Sequence, residues 1–280
     1  MYPIFPGIQV ILYKILSVQA PAKKPFLCSA KVNELKKIKV GAVSYLNTKP
    51  MMYGMKSEAF LQEHELVPDY PAKVADMLKS GAVDVGLVPV ALLHDLPRYY
   101  IVSDYCIASD YEVASVCLFS EVPVNQITTV YLDYQSRTSV ALAKVLMKEF
   151  WGINPLLIDA KDESYRTKIN GTTAAVVIGD RALEQRRLST YIYDLANEWR
   201  VMTSLPFVFA VWVSLKPMSE EWIQKFNEAN AAGMQRLDEI AEEQKFSSYD
   251  LKKYYTNNIN YVLDDEKRKG MNRFLEFLNV

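Results

Sequence analysis

The sequence predicts an α/β protein of two similarly built lobes with a ligand cleft between them, and two observations carry that prediction. A strand–loop–helix grammar at residues 38–92 returns at 127–183, and two strand-like apolar runs, "EVASVCLFS" (112–120) and "LPFVFAVWVSL" (205–215), bracket the second copy. If both runs cross between lobes, the second lobe is an insertion in the first. Lobe 1 is then 38–120 with 206–280, and lobe 2 is 121–205.

Taken in order, "KIKVGAV" alternates apolar residues and reads as a strand that runs into the polar stretch "SYLNT". "YPAKVADMLKSG" reads as a helix, with Pro71 near its start, Val74, Met77 and Leu78 on one face, and Gly81 as its stop. "VDVGLVPV" is a buried strand ended by Pro89, so parallel strands joined by a helix are expected here. In the second copy "ITTVYLD" is a strand, "YQSRTS" the polar run, and "SVALAKVLMKEF" a helix with Val145, Leu146 and Phe150 at helical spacing. "NGTTAAVVIGDRAL" then parallels "SGAVDVGLVPVALL": a glycine, a β-branched strand, a Gly or Pro break, and a new helix opening on Ala-Leu. The tail from Ser219 onward is amphipathic and is expected to cover the core with one face and water with the other.

Composition narrows the function. The 280 residues are half hydrophobic, with 32 Lys and Arg against 33 Asp and Glu. Bulk charge therefore offers nothing to nucleic acid or to an anionic membrane, and a small ligand is the expected partner. Cys28, Cys106 and Cys117 are too scattered for a disulfide framework and point to a reducing compartment. With His64 and His94 as the two histidines, neither a multi-histidine metal site nor a Cys/His nucleophile pair is expected. His64, among glutamates in "LQEHEL", reads as a solvated surface residue, and His94 as a capping or packing residue. Residues 1–37 superficially resemble an export signal, but nothing basic precedes the apolar core and Lys14 interrupts it. They are expected to be a disordered extension or the product of a misassigned start.

In open α/β sheets, ligands bind beyond the carboxyl ends of strands, where loops entering helices present unpaired N–H groups. "SYLNT" and "QSRTS" both occupy such positions, one per lobe, which suits a carboxylate-bearing ligand, with Arg137 able to pair with it. Local alternatives stand beside this. Asn47 and Thr48 are equally suited to capping the helix entered through Pro50. One of Ser136, Thr138 and Ser139 must cap the helix beginning near 140, Arg137 can be a surface charge, and Asp180 can cap the helix after "VIG". No phosphate loop, dinucleotide fingerprint, zinc motif or nucleophile elbow is present, so local motifs name no reaction.

Five phrases in order, "GAVSYLNTKP", "VDVGLVPV", "SRTSVALAKVL", "VIGDRAL" and "LPFVFAVWV", resemble the chorismate dehydratase family of the futalosine route to menaquinone. The resemblance covers residues 38–215 and continues more weakly to the end. It implies a type II periplasmic-binding-protein-like fold in cytoplasmic enzymatic use, with chorismate as substrate and neither metal nor redox cofactor. The implied reaction removes the C3 proton and the C4 hydroxyl, giving 3-[(1-carboxyvinyl)oxy]benzoate and water. It also implies a substrate-assisted mechanism, in which the enolpyruvyl carboxylate takes the ring proton. By motif, the resemblance makes Asn47 the leading catalytic or orienting amide and Ser115 a catalytic serine at the inter-lobe crossing that hydrogen-bonds the substrate. Thr138 and Ser139 hold a carboxylate, Ser44 and Thr48 assist, and Arg137 and Asp180 are further candidates for substrate contact. The sister enzyme, 1,4-dihydroxy-6-naphthoate synthase, is disfavoured by "SYLNTKP". A binding or sensing module without chemistry is permitted by the fold.

Overall fold

The structure is a computed structural model and describes residues 37–279; the expectations for residues 1–36 lie outside them. In lobe 1, β1 (Ile38–Val43) leads through a 3-10 turn (Leu46–Thr48) into α1 (Lys49–Met55). Next come α2 (Glu58–Glu63), β2 (His64–Asp69), α3 (Pro71–Ser80) and β3 (Val85–Pro89). β1 pairs in parallel with both β2 and β3, which obliges the chain to cross over through helices. α3 buries Val74, Ala75 and Leu78 and stops at Gly81, whose φ of 74° is left-handed. After a 3-10 segment (Val90–Asp95), β4 (Tyr100–Ser109) ends the first pass through this sheet.

The chain then enters the second sheet with β5 (Val116–Ser120), β6 (Thr129–Leu132), α4 (Thr138–Val145) and β7 (Leu156–Asp159). It continues through β8 (Thr173–Ile178), α5 (Asp180–Gln185), β9 (Tyr191–Asp194) and α6 (Leu195–Thr203). β10 (Phe207–Ser214) returns to the first sheet, and α7 (Glu220–Met234), α8 (Leu237–Glu243), α9 (Leu251–Lys253), β11 (Asn260–Val262) and α10 (Asp265–Leu278) complete the chain. The strand orders are β11-β4-β10-β3-β1-β2 and β7-β6-β8-β5-β9. β10 lies antiparallel between β3 and β4 and is buried along its whole length, so the returning strand sits at the centre of lobe 1.

Three expectations are corrected. β5 pairs with β8 and β9, so "VCLFS" belongs to the second sheet and the division falls in the link 110–115, not after residue 120. The run at 112–120 cannot be one strand because Ala114 sits at φ 62°, a left-handed kink that reorients the chain between sheets. Past Val145 the second-lobe helix widens into a π-turn (Leu146–Phe150), closed by the Trp151 N–H on the Leu146 carbonyl at 2.8 Å; Phe150 faces water instead of joining Val145 and Leu146. His64 is 6% exposed and not solvated: α2 ends before it, its ring stacks on Phe60 at 4.0 Å, and its Nε2 accepts the Trp222 indole N–H at 3.0 Å. Burial lowers its pKa. His94 is exposed.

Aromatic contacts join the elements on which the cleft rests. Trp199 on α6 meets Phe207 on β10 edge-on at 5.4 Å and Phe274 on α10 at 6.0 Å. Trp212 of β10 donates its indole N–H to Asn230 of α7 at 3.0 Å. α7 in turn presses on α1: a Cβ at Gly233 would lie 1.8 Å from the Pro50 carbonyl oxygen. Only glycine permits that approach, and it fixes the helix that follows "SYLNT".

Candidate active site

The carboxyl ends of β1, β6 and β8 converge with the interlobe link on one partly open cavity, with about 500 Å³ of unfilled space counting its open mouth. Its polar lining consists of Tyr45, Asn47 and Thr48 from the first lobe, Ser115 from the link, and Ser136 and Ser139 from the second. Leu87, Ile107, Ile178 and Phe209 supply apolar walls, and no charged side chain is among the lining residues. No group of three or more His, Cys, Asp or Glu able to hold a metal occurs among the described residues.

In the first loop, Thr48 does not cap a helix. Its hydroxyl is bonded to the Val43 and Tyr45 carbonyls at 2.5 and 2.8 Å, which staples the turn shut. Neither the 3-10 turn nor α1 is capped by the side chain of its own N-cap residue, and Asn47 caps neither, so the capping alternative for Asn47 fails as well. The Asn47 Oδ1 is instead buried with no hydrogen-bond partner in the protein. Leaving such a group unpaired costs about 1–3 kcal/mol, a penalty that the fold itself gives no reason to bear. Ser44 is exposed and is not among the lining residues.

The second loop divides its residues differently. Ser136 caps the first turn of α4 by accepting the Ser139 N–H at 3.1 Å, and both serines line the cavity. Thr138 is buried, but its Oγ1 accepts the Ala91 N–H at 3.1 Å across the lobes and does not line the cavity. Arg137 turns outward to Asp76 of α3 at 2.6 Å, a half-exposed pair, because burying an unpaired guanidinium among apolar walls would cost far more. The Arg137 and Thr138 side chains are thus engaged by Asp76 and the Ala91 N–H, and of the pair expected to hold a carboxylate, Thr138 and Ser139, it is Ser139 that lines the cavity. Asp180 also lies outside the lining. Its Oδ1 accepts the Leu46 N–H at 3.0 Å, so it caps the 3-10 turn of the opposite lobe instead of serving as the N-cap of its own helix. Burial raises its pKa, while the Leu46 N–H and Lys49 oppose the rise.

Ser115 is held from three sides. Its carbonyl accepts the Gly179 N–H at 2.8 Å, and Tyr254 donates to its Oγ at 2.7 Å. The kink before it is fixed by Asp194, which accepts the Val113 N–H at 3.1 Å and the Ala114 N–H at 2.7 Å. Asp194 also caps α6 through Ala196 and Asn197. Full burial pushes this carboxyl up to about 6, with the N–H bonds and Arg186 limiting the rise.

Sequence reasoning missed the groups that close the cavity. Tyr45 packs over Gly179, where a Cβ would meet its ring at 3.0 Å and where φ is 65°, so glycine is required twice over. The Tyr45 hydroxyl donates to Gln135, which also accepts from Arg181 at 2.9 Å. Arg181 binds both oxygens of the buried Asp133 at 3.1 and 3.0 Å, and Asp133 further accepts from Tyr165 and the Ile178 N–H. A buried pair so fully bonded sets loop geometry and leaves no cation free for a ligand. Asp133 ends its strand and Arg181 follows Asp180, but only the fold brings them together.

Residues 38–279 match the family model described as menaquinone biosynthesis. A chorismate dehydratase of Thermus thermophilus is 29% identical over 264 residues, which cover 86% of this chain and 95% of that one. Among solved structures, a protein of Archaeoglobus fulgidus superposes with a TM-score of 0.71 at 14% identity, covering 87% of this chain and 97% of the other. The periplasmic aliphatic sulphonate binding protein of Escherichia coli does so with a TM-score of 0.56 at 14% identity, covering 87% and 91%. The expected two-lobed, periplasmic-binding-protein-like α/β fold is thus the observed one.

Proposed function

Because the chain belongs to the menaquinone biosynthesis family, whose model it matches from residue 38 to 279, we propose that it is a chorismate dehydratase acting in the futalosine route. The observation that carries this reading is the charge-free cavity into which Asn47 brings an unpartnered amide oxygen. An elimination that ends in an aromatic ring has its driving force in the substrate. A protein catalysing it has mainly to place the reacting groups and to stabilise developing charge.

The C3–H electron pair becomes the new ring double bond, and the C4–O pair leaves with the hydroxyl. The proton taken by the substrate's enolpyruvyl carboxylate ends in the released water. Within this scheme the Asn47 Oδ1 accepts from the departing hydroxyl, and its Nδ2 amino group donates to a substrate carboxylate. Ser115 hydrogen-bonds the substrate from the link, and Ser136 and Ser139 meet a carboxylate at the start of α4, where the helix dipole favours negative charge. We place the reaction in the cytoplasm, a reading supported by the free thiols of Cys106 and Cys117.

Purified protein incubated with chorismate is expected to remove its diene absorbance and yield a product lighter by one water. Tight binding without turnover would instead support a binding module. Neither binding nor turnover would support the sister naphthoate synthase.

A further inference from the structure

Ser115 and Tyr254 lie 139 residues apart, yet the Tyr254 hydroxyl donates to the Ser115 Oγ at 2.7 Å with both side chains almost wholly buried. A phenol is a stronger acid than an aliphatic hydroxyl, so donation in this direction is the favoured one. An Oγ that accepts a hydrogen bond from behind keeps its own proton for a different acceptor, and Ser115 borders the cavity. The tail is anchored to present this phenol. Tyr254 opens a π-turn (Tyr254–Asn258), and at its far end Asn258 donates to the Glu112 carbonyl of the link at 3.0 Å while accepting from Tyr249 at 3.1 Å. π-turns of this kind are frequent at functional sites. Burial keeps Tyr254 protonated far above neutral pH, so its role as donor does not titrate.

We propose that Tyr254 is a positioning residue for the reaction, making Ser115 a donor aimed at the substrate. The role rests on the reading above, in which Ser115 contacts chorismate. It also gives the helical tail a duty beyond covering the core: the tail completes the site from behind.

The test is a double-mutant cycle on full-length protein, with chorismate turnover as readout. Tyr254→Phe is expected to lower kcat about tenfold with KM within about twofold, in line with one buried hydrogen bond. Introduced into Ser115→Ala, the same change is expected to lower kcat little further, because the bond is already gone. It should also raise the Tm of Ser115→Ala by removing a stranded hydroxyl. Tyr261→Phe, which removes a buried hydroxyl that has no partner, serves as the comparison and is expected to keep wild-type kcat. Equal losses from Tyr254→Phe in both backgrounds would assign Tyr254 to packing and overturn the proposal, as would an unchanged kcat in the single variant. A wild type that turns over no chorismate would refute the functional reading itself, and with it this role.

Discussion

The two polar loops that face each other across the cavity are built from similar residues in equivalent places, and they do different work. "SYLNT" is closed on itself by Thr48 and capped from the opposite lobe by Asp180, which leaves the Asn47 Oδ1 unengaged. "QSRTS" grips outward: Gln135 takes the Tyr45 hydroxyl, Thr138 takes the Ala91 N–H, and Arg137 takes Asp76. One loop presents a functional group, while the other closes the lobes and contributes two serines to the wall. Small polar residues after a strand therefore mark a cleft without saying which duty each will have. Partners supplied by the opposite lobe decide that.

The largest expected effect belongs to the loop that presents. Asn47→Ala is expected to lower chorismate turnover by orders of magnitude while leaving Tm within a few degrees of wild type, because the lost oxygen has no partner in the fold. Steady-state kinetics beside a thermal melt checks this, and near-normal turnover would remove Asn47 from the mechanism. Ser115→Ala comes next and should reduce kcat more than Cys117→Ala. The Cys117 thiol is fully buried on the far side of the link's kink, bonded toward Ala114 and Asp194, and does not line the cavity. The reverse order would mean that the link presents a different residue.

A smaller effect, on stability, tests how the link is held between the two loops. The Asp194 carboxyl has an ordinary value of 3.8 and stands at about 6 in the fold. Since the folded state holds the proton more tightly, this group's contribution is greatest below pH 3.8. It falls as pH rises toward about 6 and is level above that. Measured against Asp194→Asn, which cannot titrate, wild-type Tm should therefore decline across that window and then run parallel. A wild-type advantage that grows with pH would show that the Val113 and Ala114 N–H groups outweigh burial.

Much of this was legible in the sequence because it depends on short-range pattern. β1, α3, β3 and β8 follow from alternation, helical spacing and the glycine stop. Asn47, Thr48, Ser115 and Ser139 were named as candidates and do line the cavity. What could not be read depends on contacts between distant segments. Whether "VCLFS" pairs with lobe 1 or lobe 2 is settled by the kink at Ala114, which Asp194 holds from about 80 residues away. The outward turn of Arg137 needs Asp76, and the Tyr254 hydroxyl behind Ser115 comes from the tail. His64 misled because its glutamate neighbours describe the outer face of α2, whereas the first residue of β2 points inward onto Phe60 and Trp222.

The smallest effect is expected from the residue that looked most like a ligand clamp. Arg137 and Asp76 form an exposed pair, with 32% and 57% of their side chains open to water, and such pairs contribute about 0–1 kcal/mol. Arg137→Ala should therefore change KM for chorismate by no more than about threefold, and the change should shrink as salt screens the pair. A guanidinium that held a substrate carboxylate would contribute about 1.5–3 kcal/mol, so its removal would raise KM about tenfold or more. Asp76→Ala separates the two roles cleanly. It should reproduce the small effect of Arg137→Ala if the pair acts only as a latch between α3 and α4. It should lower KM if loss of the aspartate frees Arg137 to reach the ligand.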